Sequence, residues 1–592
     1  MKDDKNRQTG YKKVIDLHRN KIYKMIETNK DIYKQNDISI ENKQTSHSNV
    51  KQTSKQIQIA ENEHVHFKLK ICSDGFVSLK PSIDVIANVL SKKEGAFYNF
   101  REKEWKFKVS DYFSVERLLS LHKIPFNKIP AGVIDLLCRE NKINEEIPAG
   151  GVYDKLVPFQ VESVKFALSK GGRILLADDM GLGKTIQAIA IFNFYLSEWP
   201  VLIVAPASVL NDWKESINRF LGRKSTIIHN KTDLGDLISI ISYQMATKFI
   251  NEIKLMEFKI VVCDECHNLK SDNSQRTKNL MPVLQKASRL ILISGTPAVS
   301  RPIELFPLFQ ALNKDLFKNM WEYGRRYCNA KKIGNWIDYK GCSNSEELTY
   351  LLEREFMIRR GKEVLENQLP SKTRKHILLE ASKKSEFDQK INKEIVSSFS
   401  DKNASEDVMA AYRKAAELKL DVVVEYVMKM VKRDKKLLVF AHHSVMIDGI
   451  ESKIKENGLN YIKIDGKVPS KKRHQLINKF QDEDEIKIGI LSLTAAGAGI
   501  TLTAAKLVIF AELYWNPGVL KQAEDRIYRI GQTDNVEIHY LVCKNTVDEI
   551  VWPDVIKKLG VLESIGVGKN DLKKMKEGPG LEKTINDFCR NK

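Results

Sequence analysis

The sequence predicts an α/β chain: two parallel-sheet lobes with helical insertions, preceded by a small α+β module. Three observations predict it. From about residue 150, short apolar runs alternate with helical patterns ("GRILLAD", "PVLIVAP", "STIIHN", "FKIVVCDE", "RLILISGT"), the mark of a parallel sheet covered on both faces. A second series of the same kind ("KLLVFAHHS", "NYIKIDG", "IKIGILSLT", "KLVIFAELYW", "VEIHYLV") follows a charged helical stretch near 380–420. The chain has 592 residues, 42% of them apolar, which exceeds what one hydrophobic core holds. Two lobes joined by a helical segment leave a cleft between them.

The elements follow in order. Residues 1–60 are polar and basic; "KQTSHSNVKQTSKQ" (43–56) has the composition of a flexible linker. Only 11–34 carries apolar residues at helical spacing (Val14, Leu17, Ile22, Met25, Ile26), which reads as a frayed surface helix ahead of the alternative, a basic helix that docks on a partner. Residues 63–127 alternate as strands and then run into a helix, a small α+β module. Its aromatics Phe97, Tyr98, Phe100, Trp105 and Phe107 interleave with Arg101, Lys103, Lys106 and Lys108, a pattern that serves equally for stacking bases and for a core strand with a solvated basic face. The first lobe spans 150–375, the helical linker 376–425, the second lobe 426–565, and 566–592 is a basic tail with one short helix.

Composition narrows the function. The formal charge of +20, from 96 basic and 76 acidic residues, suggests a polyanionic partner such as nucleic acid. No apolar stretch reaches the length of a membrane span, and "MKDDKNRQTG" lacks the apolar segment of a secretory signal, which points to cytosol or nucleus. Eight scattered cysteines in such a compartment are expected to be free thiols.

One stretch carries two chemistries. Cys263-Asp264-Glu265-Cys266-His267 is the letter pattern that attaches a c-type haem, and it also places a carboxylate pair at the end of an apolar strand. The second reading prevails because of what precedes it. "LLADDMGLGKTIQAIAIF" (175–192) sets Asp179, Met180, Gly181, Leu182, Gly183, Lys184 and Thr185 between a strand and a helix. The glycines let backbone amides turn toward phosphate oxygens, Lys184 neutralises the outer phosphates of ATP, and the Thr185 hydroxyl ligates Mg2+. Asp178 stands where many such loops have their first glycine. Asp264 then holds the magnesium and Glu265 polarises the attacking water. Haem is not expected, since it needs an accessible loop; zinc is not expected either, since no second cysteine pair follows.

Further stretches fit a nucleotide motor. "ISGTPAVSRPIELF" ends a strand in Ser294, Gly295 and Thr296, candidates for coupling hydrolysis to movement, as is Gly499 in "LTAAGAGITL". "WNPGVLKQAEDRIYRIGQ" (515–532) offers Gln522, Arg526 and Arg529 from the second lobe; an arginine that reaches the γ-phosphate only on cleft closure makes hydrolysis depend on lobe position. His442 and His443 in "FAHHSVM" are read as a strand end at the cleft, since neighbours on a strand point to opposite faces and cannot share one ion.

Taken together, "DDMGLGKT", "DECH", "SGTP", "MIRRGKEVLENQLPSK" and "WNPGVLKQAEDRIYRIGQ" resemble the motif series of the Swi/Snf-type ATPases of helicase superfamily two, over roughly residues 150–560. "SGTPAVSRPIEL", "LLVFAHHSVMIDGI" and "FAELYWNPGVLKQAEDRIYRIGQ" are similar to its annealing helicase branch, and 63–127 to the accessory domain named for HepA-related proteins. The resemblance implies two RecA-like lobes and a nuclear ATP-driven translocase that rewinds duplex DNA at forks and single-strand to double-strand junctions. It implies that Gln160 reads adenine, that Gly181 to Thr185 bind ATP with Mg2+, and that Arg526 and Arg529 complete the site. It also suggests that residues 16–30 bind the replication single-strand-binding protein. Tyr528 and Cys266 depart from the family's wording without touching a catalytic group. The competing readings are a nucleosome remodeller, which would call for chromatin-reading appendages, and a catalytically silent scaffold, which the intact Lys184, Asp264, Glu265 and Arg529 oppose.

Overall fold

The computed structural model describes residues 67–82, 84–139, 146–272, 274–298, 300–365, 369–380, 405–493, 502–529, 531–544, 546–567 and 576–577. The N-terminal arm, Gly499 and most of the C-terminal tail lie outside these. No described helix is long and apolar enough to cross a membrane. The chain divides into two compact units: one takes in residues 67–68, 80–105 and 115–127, the other 69–79, 106–114 and 128 onward, which includes both lobes.

Strands β1 (Phe67–Ile71), β2 (Phe76–Lys80), β3 (Phe97–Asn99), β4 (Glu104–Lys108) and β5 (Phe126–Asn127) form a five-stranded sheet in the order β3-β4-β2-β1-β5. The aromatics of this region split by role. Trp105 and Phe107 are buried, while Phe97 and Phe100 are exposed. Within the larger unit, residues 69–71 are tied to the insertion that precedes the linker: Arg326 Nη2 donates to the Leu69 carbonyl at 2.7 Å, and the Ile71 amide to Glu347 Oε2 at 2.9 Å. Arg326 and Glu347 are themselves a buried ion pair, and the fully buried Tyr327 hydroxyl adds a 2.9 Å bond to the same carboxylate. A hydrogen bond to a charged group contributes ~1.5–3 kcal/mol. Tyr327→Phe is therefore expected to lower stability by about that amount, read as a shift in the urea midpoint with an unchanged slope.

The first lobe is a seven-stranded sheet in the order β14-β6-β11-β10-β7-β9-β8. Its strands are β6 (Arg173–Leu176), β7 (Val201–Ala205), β8 (Thr226–Ile227), β9 (Ile238–Ser242), β10 (Ile260–Asp264), β11 (Arg289–Ile293) and, beyond the small antiparallel hairpin β12 (Lys331–Ile333) and β13 (Trp336–Asp338), β14 (Met357–Ile358). Every ladder is parallel. β7 and β9 are buried on both faces, which is why they read as unbroken apolar runs. The second lobe is another all-parallel sheet, in the order β17-β18-β16-β19-β20-β15-β21. It comprises β15 (Lys372–Glu380), β16 (Leu437–Ala441), β17 (Tyr461–Ile464), β18 (Ile488–Ser492), β19 (Leu507–Phe510), β20 (Val536–Lys544) and β21 (Lys576–Glu577). Alternate residues feed separate cores on its two faces: Leu438 and Phe440 on one, Leu437, Val439 and Ala441 on the other.

The α/β fold class expected from sequence is the one observed, with two corrections and one addition. The first lobe does not run to 375, because Lys372–Glu380 pairs along its whole length with β20 and so belongs to the second lobe's sheet. The linker's described helix, Ser405–Val431, packs on that lobe too: Val423, Val427 and Met430 sit in its core, and Lys419 makes a buried 2.8 Å bond to Asp548. In the tail, Lys576–Glu577 adds a strand beside β15 that the sequence does not announce; the rest of the tail beyond 567, with its expected short helix, lies outside the described residues.

Candidate active site

Strand register places the site. Leu176 of β6 stands opposite Ile293 of β11, which stands opposite Asp264 of β10. Three chain segments therefore leave the sheet side by side at its carboxyl end: the phosphate loop, the Asp264–Glu265 pair and Ser294–Gly295–Thr296. This is where parallel sheets present ligand sites.

The loop after β6 needs its glycines. Gly181 and Gly183 have φ of 89° and 74°, and a Cβ on Gly183 would come 2.5 Å from Gln160 Nε2. Gly183 caps the helix Lys184–Phe194, whose first turn carries Thr185. Lys184 Nζ donates to the Asp178 and Asp179 carbonyls at 2.8 and 3.2 Å. The Gln160 carboxamide joins this loop to the start of its own helix: Nε2 donates to the Leu182 carbonyl at 3.1 Å, and Oε1 accepts from the amide of the capping residue Val157 at 3.1 Å. Gln160 thus braces the loop, a role its sequence position did not disclose.

Asp178, in place of a glycine, is a fully buried anchor. Its carboxylate accepts from the Arg360 amide at 2.8 Å and from Gln187 Nε2 at 3.1 Å; burial pushes its pKa up, against the pull of Arg360. Burial would likewise raise Asp179, but Lys521, Arg359 and Lys362 outweigh it and hold the carboxyl below its ordinary range. Arg359 reaches three groups at once: Asp179 Oδ1 at 3.0 Å, the Ala177 carbonyl at 2.8 Å and the Gly295 carbonyl at 3.1 Å. In the sequence the "MIRRGK" stretch carries only a family resemblance and no role for either arginine. The signal was the apolar pair Met357–Ile358, which pairs with Leu175–Leu176 and so delivers both arginines to the loop.

Asp264 accepts from Trp213 Nε1 at 2.9 Å through Oδ2 and from the Glu265 amide at 2.8 Å through Oδ1. Burial, and then the neighbouring Glu265 charge, push its pKa up. Glu265 sits in the left-handed region (φ 49°), a strained conformation for a glutamate of the kind found at functional sites. His267 Nδ1 lies 3.3 Å from Glu265 Oε2 and 3.1 Å from Ser294 Oγ, yet Oε2 has no hydrogen bond of good geometry. A buried carboxylate oxygen without a donor suits polarisation of a water. Cys263 and Cys266 are both fully buried, Cys263 within the strand and Cys266 in the turn that follows, and burial pushes the Cys263 thiol up to about 12.

From the second lobe, Gln522 and Arg526 are buried and Arg529 is half-buried. Burial lowers the pKa of Arg526, countered first by Glu265, with Asp264 also among the charges that act on it. A Cβ on Gly181 would lie 3.1 Å from Arg529 Cβ, so this residue packs on the phosphate loop. Lys362 Nζ bonds Asp525 Oδ1 at 2.7 Å and Lys521 lies 3.7 Å from Asp179, which adds two interlobe ties. Lys184, Asp264, Glu265 and Arg526 share one electrostatic cluster, with Arg529 on its loop side.

Divalent-metal chemistry fits these groups. Among the described residues no three His, Cys, Asp or Glu side chains gather as a metal cage. Mg2+ suits such a site, because it takes one or two carboxylates and completes its shell with phosphates and water. Asp264 and the Thr185 hydroxyl would supply the protein's share.

His442 and His443 do not lie on opposite faces as expected. β16 ends at Ala441, so the strand alternation has stopped; the rings are 4.7 Å apart, and both backbone amides donate to Glu512 Oε2 at 2.7 and 2.8 Å.

Comparison with known proteins agrees with this geometry. The SNF2-related domain matches residues 159–432, and the helicase conserved C-terminal domain matches 418–531. The chain is 38% identical over 521 residues to the "SWI/SNF-related matrix-associated actin-dependent regulator of chromatin subfamily A-like protein 1" of Xenopus tropicalis, covering 83% of this chain and 55% of that protein. It is 40% identical over 455 residues to the "DNA annealing helicase and endonuclease ZRANB3" of Bos taurus, covering 72% and 42%. It thus spans about half the length of these relatives. The Caenorhabditis elegans homolog of the first is 35% identical over 510 residues, covering 82% of this chain and 73% of its own length. With both domains matched in order and that share of a full relative aligned, the chain belongs to the SNF2-related helicase family.

Proposed function

We propose that this protein is a DNA-dependent ATPase that translocates on double-stranded DNA and reanneals complementary strands at forks and single-strand to double-strand junctions in the nucleus, remodelling stalled replication forks. One observation carries the reading: the second lobe reaches the phosphate loop of the first, where a Cβ on Gly181 would lie 3.1 Å from Arg529 Cβ, Lys521 lies 3.7 Å from Asp179 and Lys362 Nζ bonds Asp525 Oδ1 at 2.7 Å. The names of its relatives, an annealing helicase and a regulator of chromatin, support the DNA substrate.

In this reading the loop amides and Lys184 hold the phosphates of ATP. Asp264 and the Thr185 hydroxyl would hold Mg2+, which would supply charge neutralisation for the phosphates. Glu265 orients a water for in-line attack on the γ-phosphorus, and the departing oxygen stays on ADP. Arg526 and Arg529 stabilise the negative charge that develops, and because they sit on the second lobe, turnover is tied to lobe position. Arg359 links the phosphate loop to Gly295, a route by which loss of the γ-phosphate is felt at Ser294–Gly295–Thr296. Residues 16–30 are assigned to the replication single-strand-binding protein.

ATP turnover is expected to rise strongly with naked forked DNA and little with RNA, and the full chain is expected to close a bubble coated with single-strand-binding protein. Stimulation by RNA alone would discard the DNA assignment, and a requirement for nucleosomes would favour a remodeller.

A further inference from the structure

Beside the carboxylate pair, a cavity of about 450 Å³ opens between the lobes, lined from the first lobe by His267, Lys270, Ser274, Arg276 and Thr296 and from the second by Asn516, Gly518 and Gln522. None of its lining residues is acidic. Two helices begin at its wall. Ser274 caps Gln275–Lys286, its hydroxyl accepting from the Thr277 amide, and Asn516 caps Pro517–Glu524, its side chain accepting from the Gly518 amide at 3.0 Å. Helix starts carry partial positive charge, and here two from different lobes meet two full cations.

An independent observation points to a ligand. The Thr296 hydroxyl is buried and finds no hydrogen-bond partner among the described residues, although its residue faces this cavity. A buried hydroxyl left unmatched is costly unless something in the cavity bonds it. Lys270 is exposed and forms no ion pair with a described residue, so its charge is available; Arg276 is partly engaged, at 2.9 Å from Asn268 Oδ1.

The wall also separates this cavity from the phosphate loop. A Cβ on Gly295 would lie 3.6 Å from Lys184 Nζ, and the next residue, Thr296, lines the cavity, as does His267, which stands between Glu265 and Ser294.

We infer that this cavity is a second phosphate site, distinct from the loop that holds ATP, in which Lys270, Arg276, the Thr296 hydroxyl and the start of the helix Gln275–Lys286 bind a tetrahedral phosphate group. Two sources supply that chemistry: the orthophosphate released by hydrolysis, which has only the Gly295–Thr296 wall to pass, and a backbone phosphate of DNA. The first source rests on the function proposed above; the site itself does not.

The test uses the full chain with a non-hydrolysable ATP analogue filling the phosphate loop. Orthophosphate is titrated by calorimetry, and forked-DNA affinity is measured at several salt concentrations, for the natural chain, Lys270→Ala and Arg276→Gln. If the site takes the released product, Lys270→Ala weakens orthophosphate binding about tenfold and leaves the DNA salt dependence unchanged, as expected for one lost charge-assisted contact. If it takes DNA, the slope of log affinity against log salt falls by about one. Lys270 is exposed and Arg276→Gln keeps a hydrogen-bonding side chain, so both variants are expected to fold. Should neither quantity change in either variant, the inference is overturned. Failure of the natural chain to turn over ATP with DNA would instead strike the proposed function, because the orthophosphate titration needs no turnover.

Discussion

Arg526→Ala is expected to lower DNA-stimulated ATP turnover by about 10³–10⁵-fold while leaving affinity for a non-hydrolysable ATP analogue within a few-fold. The residue is buried beside Glu265 and comes from the lobe that does not carry the phosphate loop. A guanidinium so placed meets the substrate's charge most strongly when that charge grows on the transferred oxygens, so its loss appears in kcat more than in KM. Arg526→Lys should rescue little, because an ammonium lacks the planar fork that spans two oxygens. Lys184→Ala forms the contrast: it abolishes turnover and also weakens nucleotide binding, since Lys184 meets the phosphates in the ground state. Equal loss of binding in the two variants would demote Arg526 to a ground-state contact.

The parts of this site that were legible in the sequence are those whose chemistry is local. A glycine with positive φ between a strand and a helix, a lysine one residue later and a carboxylate at a strand end are fixed by neighbouring residues, so "GLGKT" and "DECH" announce themselves. What the sequence left hidden depends on pairing over long separations. Arg359 meets Asp179 only because Met357–Ile358 adds to the edge of β6, and nothing in "MIRR" names its partner strand. β15 straddles the expected boundary at 375 between the first lobe and the helical linker for the same reason. "KTRKHILLE" follows the first lobe directly in sequence, is half-buried along most of its length, and declares its sheet only through its ladder with β20. Alternation fails at His442–His443 because the strand stops two residues before His443. Parallel sheets make such errors natural, since each strand's partner lies across a crossover rather than across a turn.

The ladder between β15 and β20 also positions the arginines proposed as catalytic. Glu524, the last residue of the helix Pro517–Glu524, is buried, and its carboxylate takes two bonds from Arg374 of β15, at 2.7 and 2.6 Å, and one from the Tyr540 hydroxyl of β20 at 2.7 Å. The segment bearing Arg526 is thus moored to the sheet by a charge pair just ahead of it. Burial alone would raise the Glu524 pKa, but Arg374 and Lys372 hold it far below the ordinary range. In the unfolded chain this carboxyl titrates near ~4.3. Because the folded value is the lower one, the pair's contribution is complete above the unfolded value and drains away as pH falls toward the folded one. Arg374→Ala leaves a buried carboxylate with only Lys372, at 3.4 Å, as an ionic partner. The expected loss is about 3–5 kcal/mol at pH 7, measured by urea unfolding. The gap between variant and natural chain should narrow as pH drops below about 4. Turnover should fall alongside stability at neutral pH, because the helix end that aims Arg526 has lost its mooring. A gap of equal size at pH 3 and pH 7 would instead assign the cost to the packing of the arginine stem, and the charge pair would then have no part in holding the arginine in place.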